Sequence, residues 1–271
     1  MVPTPLGNLK DVTLRVLDVL AAVDLVLCED TRRTRKLLSH YRLSKQLVSC
    51  ERFSEARRVS YVLGALGEGK SLALVSDAGM PGISDPGTRI IQSVRREGYE
   101  VVVLPGPSAI VTAFAASGID KPFRFIGFLP RKTEEKRLAV HAMLSSRDAT
   151  VFYESPRRLL STLKELAAGD PGRFVCIARE MTKIHEEYLA GSAREVLSQL
   201  EGKDVRGELT VVVDGSSRDA EPSWDAIDRA GMRLLALGVP LKEASAVLAD
   251  VSGLSRTELY RRLLASCRKG P

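Results

Sequence analysis

Over its first 118 residues the chain alternates short apolar runs with amphipathic helical stretches. A mostly parallel sheet flanked by helices satisfies that rhythm. The expected strands are Leu25 to Cys28, Gln46 to Cys50, Leu72 to Val75 and Tyr99 to Leu104. The expected helices run from Val12 to Val23 with Asp11 as N-cap, from Thr31 through Leu38, from Ser54 to Leu66, from Pro86 to Glu97 and from Ala109 to Ser117. Gly67, Gly98 and Gly118 close three of them, Gly98 as a left-handed cap. In Leu72 to Pro86 an apolar run gives way to a loop holding Gly79, Pro81 and Gly82, and then to Asp85-Pro86. Asp as N-cap with Pro at the first helical position reads as a helix start. Strand, glycine-rich loop and helix start is how open α/β sheets build small-molecule sites; a tight connection without a ligand is the alternative.

Lys121 to Lys132 holds Pro122, Pro130 and aromatic residues without clear periodicity, and a domain boundary is placed there. Beyond it come a helix from Thr133 to Ser145, a strand from Ala149 to Tyr153, and a helix opened by Ser155-Pro156 and running to Ala167. Strands at Phe174 to Ala178, Glu187 to Ala190 and Glu208 to Val213 follow, with a capping box at Ser192 and Glu195 opening a helix to Leu200. Fewer crossovers are visible here, so a mixed sheet is expected. Ser216 to Ser223, with Pro222, reads as a linker. The rest is helical: Trp224 to Leu237, Leu241 to Val251 and Ser255 to Arg268. The fold class is therefore α/β, with two α/β domains, 1–120 and 121–215, and a small helical, basic domain over 222–271.

The formal net charge is +6, which makes an anionic partner worth considering, nucleic acid first. A basic protein with nothing bound is the bland alternative. Positive charge gathers in Arg32, Arg33, Arg35 and Lys36 just after the first strand, and in Arg256, Arg261, Arg262, Arg268 and Lys269 on the last helix. The first cluster suits an anion or is a solvated face. The three helices make either a nucleic-acid module or a packed cap. The four cysteines, Cys28, Cys50, Cys176 and Cys267, form no C-x-x-C pair, and three lie in apolar stretches, so they read as reduced core thiols. His40, His141 and His185 show no ligand spacing, so no metal is expected. Charged residues in the first segment exclude a signal peptide, and no apolar run approaches the ~20 residues of a membrane span. A cytoplasmic protein is expected.

No G-x-G-x-x-G, no G-x-x-x-x-G-K-[ST] and no G-x-S-x-G occurs, which removes the fingerprints of a dinucleotide site, a P-loop and a nucleophile elbow. Glycines lie instead in three separate loops, Pro5 to Asn8, Asp77 to Gly82 and Pro105 to Ser108. Glycine lets a backbone approach a ligand closely and proline stiffens the loop. Backbone from several loops without a phosphate cradle fits a nucleoside lacking phosphates. S-adenosylmethionine is one such molecule, and other nucleosides fit equally well.

Six motifs occur in one order: Thr4-Pro5-Leu6-Gly7-Asn8-Leu9 with Asp11-Val12-Thr13, Glu29-Asp30-Thr31-Arg32, Val75-Ser76-Asp77-Ala78-Gly79-Met80-Pro81, Pro105-Gly106-Pro107-Ser108-Ala109, Phe152-Tyr153-Glu154-Ser155, and Ala178-Arg179-Glu180-Met181-Thr182-Lys183. Together they closely resemble the ribosomal RNA small subunit methyltransferase I family of the tetrapyrrole methylase superfamily. Each motif is weak alone, whereas six in order are specific. The resemblance covers Val2 to Asp214, and the tail is similar to the family's small helical region. The family pattern carries a full strand before Thr4, of which this chain shows only Met1 to Pro3; a late start or a trimmed sequence accounts for that.

The resemblance implies S-adenosylmethionine-dependent 2′-O-methylation of a cytidine ribose in the decoding region of 16S rRNA, presented naked or in the assembled small subunit. It implies a homodimer and a cofactor held in the cleft between two α/β domains. It places the cofactor against Leu6, Asp77, Met80, Ser108, Ala109, Glu154 and Met181, with Glu154 contributing backbone. Methyl transfer from a sulfonium needs chiefly alignment, plus a base for the hydroxyl proton. Candidates for catalysis are Asp30, Arg32, Glu180 and Lys183; Lys183 serves as a base only with a depressed pKa. Arg32 and Arg179 read better as phosphate or carboxylate clamps, and a structural ion pair is the plain alternative for each. Candidates for RNA contact are Arg33, Arg256, Arg261 and Arg262. A corrinoid-precursor methylase and a non-catalytic RNA-binding assembly factor are the competing readings.

Overall fold

A computed structural model describes residues 1–50, 55–216 and 224–268. Met1–Gly215 form one compact unit and Ser216–Pro271 a second.

The first unit opens with a short 3₁₀ turn at Leu9–Asp11, so Asp11 does not cap the following helix. That helix, α1 (Leu14–Ala22), begins at Thr13, whose side chain accepts the Val16 N–H. There follow β1 (Leu25–Cys28), α2 (Thr31–His40), β2 (Gln46–Ser49), α3 (Glu55–Gly67), β3 (Leu72–Leu74) and α4 (Thr88–Arg96). The expected start of α3 at Ser54 lies outside the described residues. The strands form a parallel sheet in the order β2-β1-β3. Successive side chains of a strand point to opposite faces. Val26 and Cys28 accordingly pack with Val16, Leu20 and Leu38, while Leu25 and Leu27 pack with Val62, Ala65, Ile90 and Val94.

Two expectations fail here for identifiable reasons. Tyr99 to Leu104 joins no sheet among the described residues; the Met1 amino group donates to the Val102 carbonyl (2.6 Å) and the Leu104 N–H to the Met1 carbonyl (3.0 Å), while the Tyr99 N–H returns to the Val94 carbonyl (3.1 Å). Val2 in turn bridges Val75 in parallel. Nor does α4 start at Asp85-Pro86. Gly87, at φ +132°, precedes its first residue, and Glu55 from α3 supplies the cap. The Glu55 carboxylate is buried and accepts the N–H groups of Gly87 (3.1 Å), Arg89 (2.6 Å) and Ile90 (3.3 Å). Those are the orphan donors of a helix start, satisfied from another helix.

Next come α5 (Ala109–Ser117), β4 (Phe123–Phe128), α6 (Thr133–Ser145), β5 (Ala149–Glu154), α7 (Pro156–Gly169), β6 (Phe174–Arg179), β7 (Glu187–Ser192), α8 (Ala193–Leu200) and β8 (Leu209–Val213). The five strands make a mixed sheet in the order β4-β5-β8-β6-β7, parallel only between β4 and β5. β4 occupies the stretch that shows no sequence periodicity. It is an edge strand whose register shifts between Phe125 and Phe128, with Gly127 at φ +69°. A bulge of this kind breaks the alternation that marks a strand. α6, α7 and α8 cover one face through Met143, Leu159, Leu163 and Val196. α5 precedes residue 121 but packs on the other face, setting Ile110 and Ala113 against Val151, Cys176 and Val212. The capping box at Ser192 and Glu195 forms as expected. Cys28, Cys50 and Cys176 are buried free thiols; the Cys267 side chain lies outside the described residues.

The second unit holds α9 (Trp224–Ala236), α10 (Leu241–Ser252) and α11 (Arg256–Arg268) around Ile227, Leu248, Leu259 and Leu263. The expected linker lies outside the described residues except for Ser216. Gly253, left-handed at φ +70°, ends α10, and α11 begins three residues later. Among the described residues no helix is long and apolar enough to cross a membrane.

Glu55→Ala leaves three backbone donors without their acceptor. It is expected to lower unfolding stability by about 1–3 kcal/mol, read from urea denaturation.

Candidate active site

Three loops are fastened to one another where the strands end. The Thr4 N–H donates to the Gly79 carbonyl (2.9 Å) and the Gly79 N–H to the Thr4 carbonyl (2.9 Å). The Thr4 hydroxyl donates to the Ser76 carbonyl (3.0 Å), and the Ser76 hydroxyl to the Gly79 carbonyl (2.8 Å). Gly79 sits at φ +79°, and a Cβ there would stand 3.2 Å from Leu6 Cδ2 and 3.5 Å from the Pro107 carbonyl oxygen. At Gly106 a Cβ would meet Pro3 Cγ at 2.4 Å. Glycine is thus required at Gly79, by its positive φ beside Leu6, and at Gly106, where the third loop closes on Pro3.

These loops wall a cavity of about 390 Å³, closed on its far side by β5, β8 and Met181. All seven residues expected to touch a cofactor line it: Leu6, Asp77, Met80, Ser108, Ala109, Glu154 and Met181. Its apolar walls include Leu6, Met80, Ile110, Phe128 and Met181. Its charged lining is four acids, Asp77, Asp85, Glu154 and Glu208, against one base, Arg33. A largely apolar cavity with acidic side chains and no phosphate cradle suits a nucleoside without phosphates. Ser108 is the N-cap of α5 and makes no side-chain cap bond, so this helix start faces the cavity with its first-turn donors.

The four acids are in different states. Asp77 accepts the Asp30 N–H (2.9 Å) on one oxygen and lies 3.6 Å from the Arg33 guanidinium on the other. The Glu154 carboxylate is buried beneath the lining. It accepts the Ser155 N–H (2.9 Å) and the Thr162 hydroxyl (2.8 Å) and lies 3.4 Å from Arg158. Its backbone remains the part able to meet a ligand. Glu208 pairs with Lys183 at 3.0 Å. Asp85 has no hydrogen bond or ion pair among the described residues. Burial, then the charges of Glu29 and Asp77, push its pKa up to about 7. Burial also pushes Tyr153, which shares the lining, up to about 12, with smaller contributions from Asp85 and Glu208.

The residues expected to carry catalysis, Asp30, Arg32, Glu180 and Lys183, stand outside the lining. Asp30 caps α2, and hydrogen bonds from the Arg32 side chain (2.8 and 3.0 Å) and the Arg32 N–H (2.8 Å) hold its carboxyl well below the usual range. Lys183 bridges Glu180 (2.8 Å) and Glu208 (3.0 Å). Burial, the largest single influence, pulls its pKa down, but the two hydrogen bonds and the charges of Glu208 and Glu180 together leave it raised, the reverse of what a lysine base requires. The RNA candidates also separate. Arg33 lines the cavity. Arg256 reaches the Lys242 carbonyl (3.2 Å). Arg261 is exposed. Arg262 forks onto Asp228 (2.8 to 3.0 Å) and lies 4.5 Å over the Trp224 ring. The sequence reading missed Asp85, Tyr153 and Glu208. The signal available for Asp85 was Gly87 just beyond it, since a glycine there displaces the helix start past Asp85-Pro86.

The family described as Tetrapyrrole (Corrin/Porphyrin) Methylases matches residues 1–197, and the RsmI C-terminal HTH domain matches residues 221–266. The chain is 48% identical over 216 residues to the ribosomal RNA small subunit methyltransferase I of Thermotoga maritima, covering 79% of this chain and 97% of that protein. It is 38% identical over 270 residues to the protein of the same name from Escherichia coli O157:H7, covering 97% and 93%. Among solved structures it is similar to a cobalt precorrin-4 methyltransferase (TM-score 0.58, 17% identity, 79% of this chain and 92% of that one). It is also similar to the uroporphyrin-III C-methyl transferase of Thermus thermophilus complexed with S-adenyl homocysteine (TM-score 0.56, 16% identity, 79% and 95%). At those identities the structural likeness concerns the fold alone.

Proposed function

The chain belongs to the ribosomal RNA small subunit methyltransferase I family and is an rRNA methyltransferase, and from that premise we propose that it methylates a cytidine ribose 2′-oxygen in the decoding region of 16S rRNA with S-adenosylmethionine. The observation that carries the methyl donor is the convergence of all seven expected contact residues on one acidic cavity. When bound, S-adenosylmethionine supplies an electrophilic methyl group, which no side chain of the protein offers. Residues 1–120 and 121–215 are read as the two halves of the cleft that holds it.

The lining supports a division of labour. Asp77, held by the Asp30 N–H, keeps its second oxygen beside Arg33 and able to accept from a donor hydroxyl or amine. The N-terminus of α5 at Ser108 and Ala109 suits a carboxylate. Leu6, Met80 and Met181 supply apolar walls. Asp30, Arg32, Glu180 and Lys183 are read as rim residues that order α2 and the loop after β6, with Arg32 exposed toward RNA phosphate. The RsmI C-terminal HTH match over residues 221–266 and the curated rRNA methyltransferase relatives favour RNA over the corrinoid reading.

RNA binding is assigned to the helical unit, where α10, the turn at Gly253 and α11 form a helix-turn-helix arrangement. Arg256 and Arg261 are the exposed cations proposed to contact phosphate. Arg262 instead ties α11 to α9 through Asp228 and Trp224. A homodimer and a cytoplasmic location complete the proposal.

Methyl-labelled S-adenosylmethionine, incubated with naked 16S rRNA and separately with assembled small subunits, is expected to place label on one cytidine 2′-oxygen in at least one of them. Absence of label in both contradicts the reading. Arg261→Glu is expected to weaken RNA binding and to reduce the salt slope of affinity by about 1, with cofactor affinity unchanged. Unaltered RNA affinity would make the exposed face of α11 irrelevant to RNA.

A further inference from the structure

We propose that Asp85 takes the proton from the ribose 2′-hydroxyl during methyl transfer, an assignment that rests on the reaction proposed above. The backbone places it deliberately. Gly82, Ser84 and Gly87 all have positive φ (+82°, +66° and +132°), and Ser84 lacks the conformational freedom of glycine. Strain in a non-glycine residue persists only where its surroundings over-determine it. Those surroundings are visible: a Cβ on Gly87 would lie 2.5 Å from Leu74 Cδ2, and Glu55 fastens the α4 start that follows. With Glu55 as cap, Asp85 has no structural anion role left to fill. It is turned instead into the cavity, where it shares the lining with Tyr153.

A proton acceptor must hold an uncommitted lone pair and must not be stabilised as an anion by a cation. Every other acid of the lining fails one of these conditions. Asp77 lies beside Arg33, Glu154 is bound to Ser155, Thr162 and Arg158, and Glu208 holds Lys183. Among the described residues, the charges acting on Asp85 are the carboxylates Glu29 and Asp77, both of its own sign; Tyr153, which shares the lining, remains a neutral phenol near pH 7. Burial and those like charges raise its proton affinity to the operating range of a general base. In the step itself the 2′-oxygen forms the new O–CH₃ bond and the S–CH₃ bond breaks with its electron pair on sulfur. The hydroxyl proton passes to the Asp85 carboxylate, which then returns it to water.

The test compares the intact protein with Asp85→Asn and Asp85→Glu. It measures label transfer to rRNA at saturating cofactor across pH, cofactor affinity by calorimetry, and the carboxyl ¹³C titration of Asp85 in the protein without substrate. The intact enzyme should lose rate as pH falls through about 7, because the base works as its anion. Asp85→Asn should be slower by roughly 10²–10⁴-fold, lack that acid limb and bind cofactor as before, while Asp85→Glu recovers part of the rate. The ¹³C resonance absent from Asp85→Asn should titrate near 7. Loss of cofactor affinity with the saturated rate retained would make Asp85 a cofactor ligand and overturn the assignment. An intact protein that labels ribose, with Asp85→Asn matching its rate and pH profile, overturns the assignment alone. An intact protein that labels no ribose overturns the reaction and the assignment together.

Discussion

The reciprocal hydrogen bonds between Thr4 and Gly79 are the constraint on which the cleft depends. They join the first loop to the loop after β3, and Ser76 reinforces both partners from beneath. Because Gly79 is left-handed and pressed against Leu6 and the Pro107 carbonyl, the same residue also sets the third loop. One backbone contact therefore determines the spacing of Leu6, Asp77, Met80 and Ser108. The Asn8 N–H extends the fastening to the loop after β6 by donating to the Thr182 hydroxyl (3.0 Å). Two residues of that loop, Glu180 and Thr182, are themselves left-handed. A cleft built this way offers a ligand much backbone, which is why its glycines and prolines carry more sequence information than its charges.

What was legible in the sequence follows from that. The glycine loops are local signals, and the residues quoted from them meet in one cavity. The strands with a clear apolar run, Leu25–Cys28 and Leu209–Val213, are likewise legible because both of their faces are buried. Several departures share a cause: the partner comes from far along the chain. Asp-Pro is a good helix start in isolation, but Glu55 arrives from α3 and takes the capping role from Asp85. Lys183 beside Glu180 looks like free cleft chemistry until Glu208, from the approach to β8, closes on it. β4 conceals its period behind a bulge, and Tyr99 to Leu104 has strand composition but finds only Met1 to pair with.

Charge is arranged locally rather than by its sum. The chain is basic overall, yet the charged lining of its cavity is mostly acidic. Arg261 is exposed on α11, whereas Arg32 forks onto Asp30 (3.0 and 2.8 Å) and Arg256 reaches the Lys242 carbonyl. Arg262 shows why a count of basic residues misleads: a bidentate ion pair and an aromatic ring commit it to holding α11 against α9.

The central claim is that the acidic cavity beside Asp77 holds the methyl donor. Titration calorimetry with S-adenosylhomocysteine on the intact protein and on Asp77→Asn tests it most directly, since asparagine keeps an acceptor for the Asp30 N–H and removes the charge. About one ligand should bind per chain, with an affinity roughly 10- to 100-fold weaker in the variant, the range for a lost charged hydrogen bond. No binding to the intact protein, or equal binding to both, would contradict it.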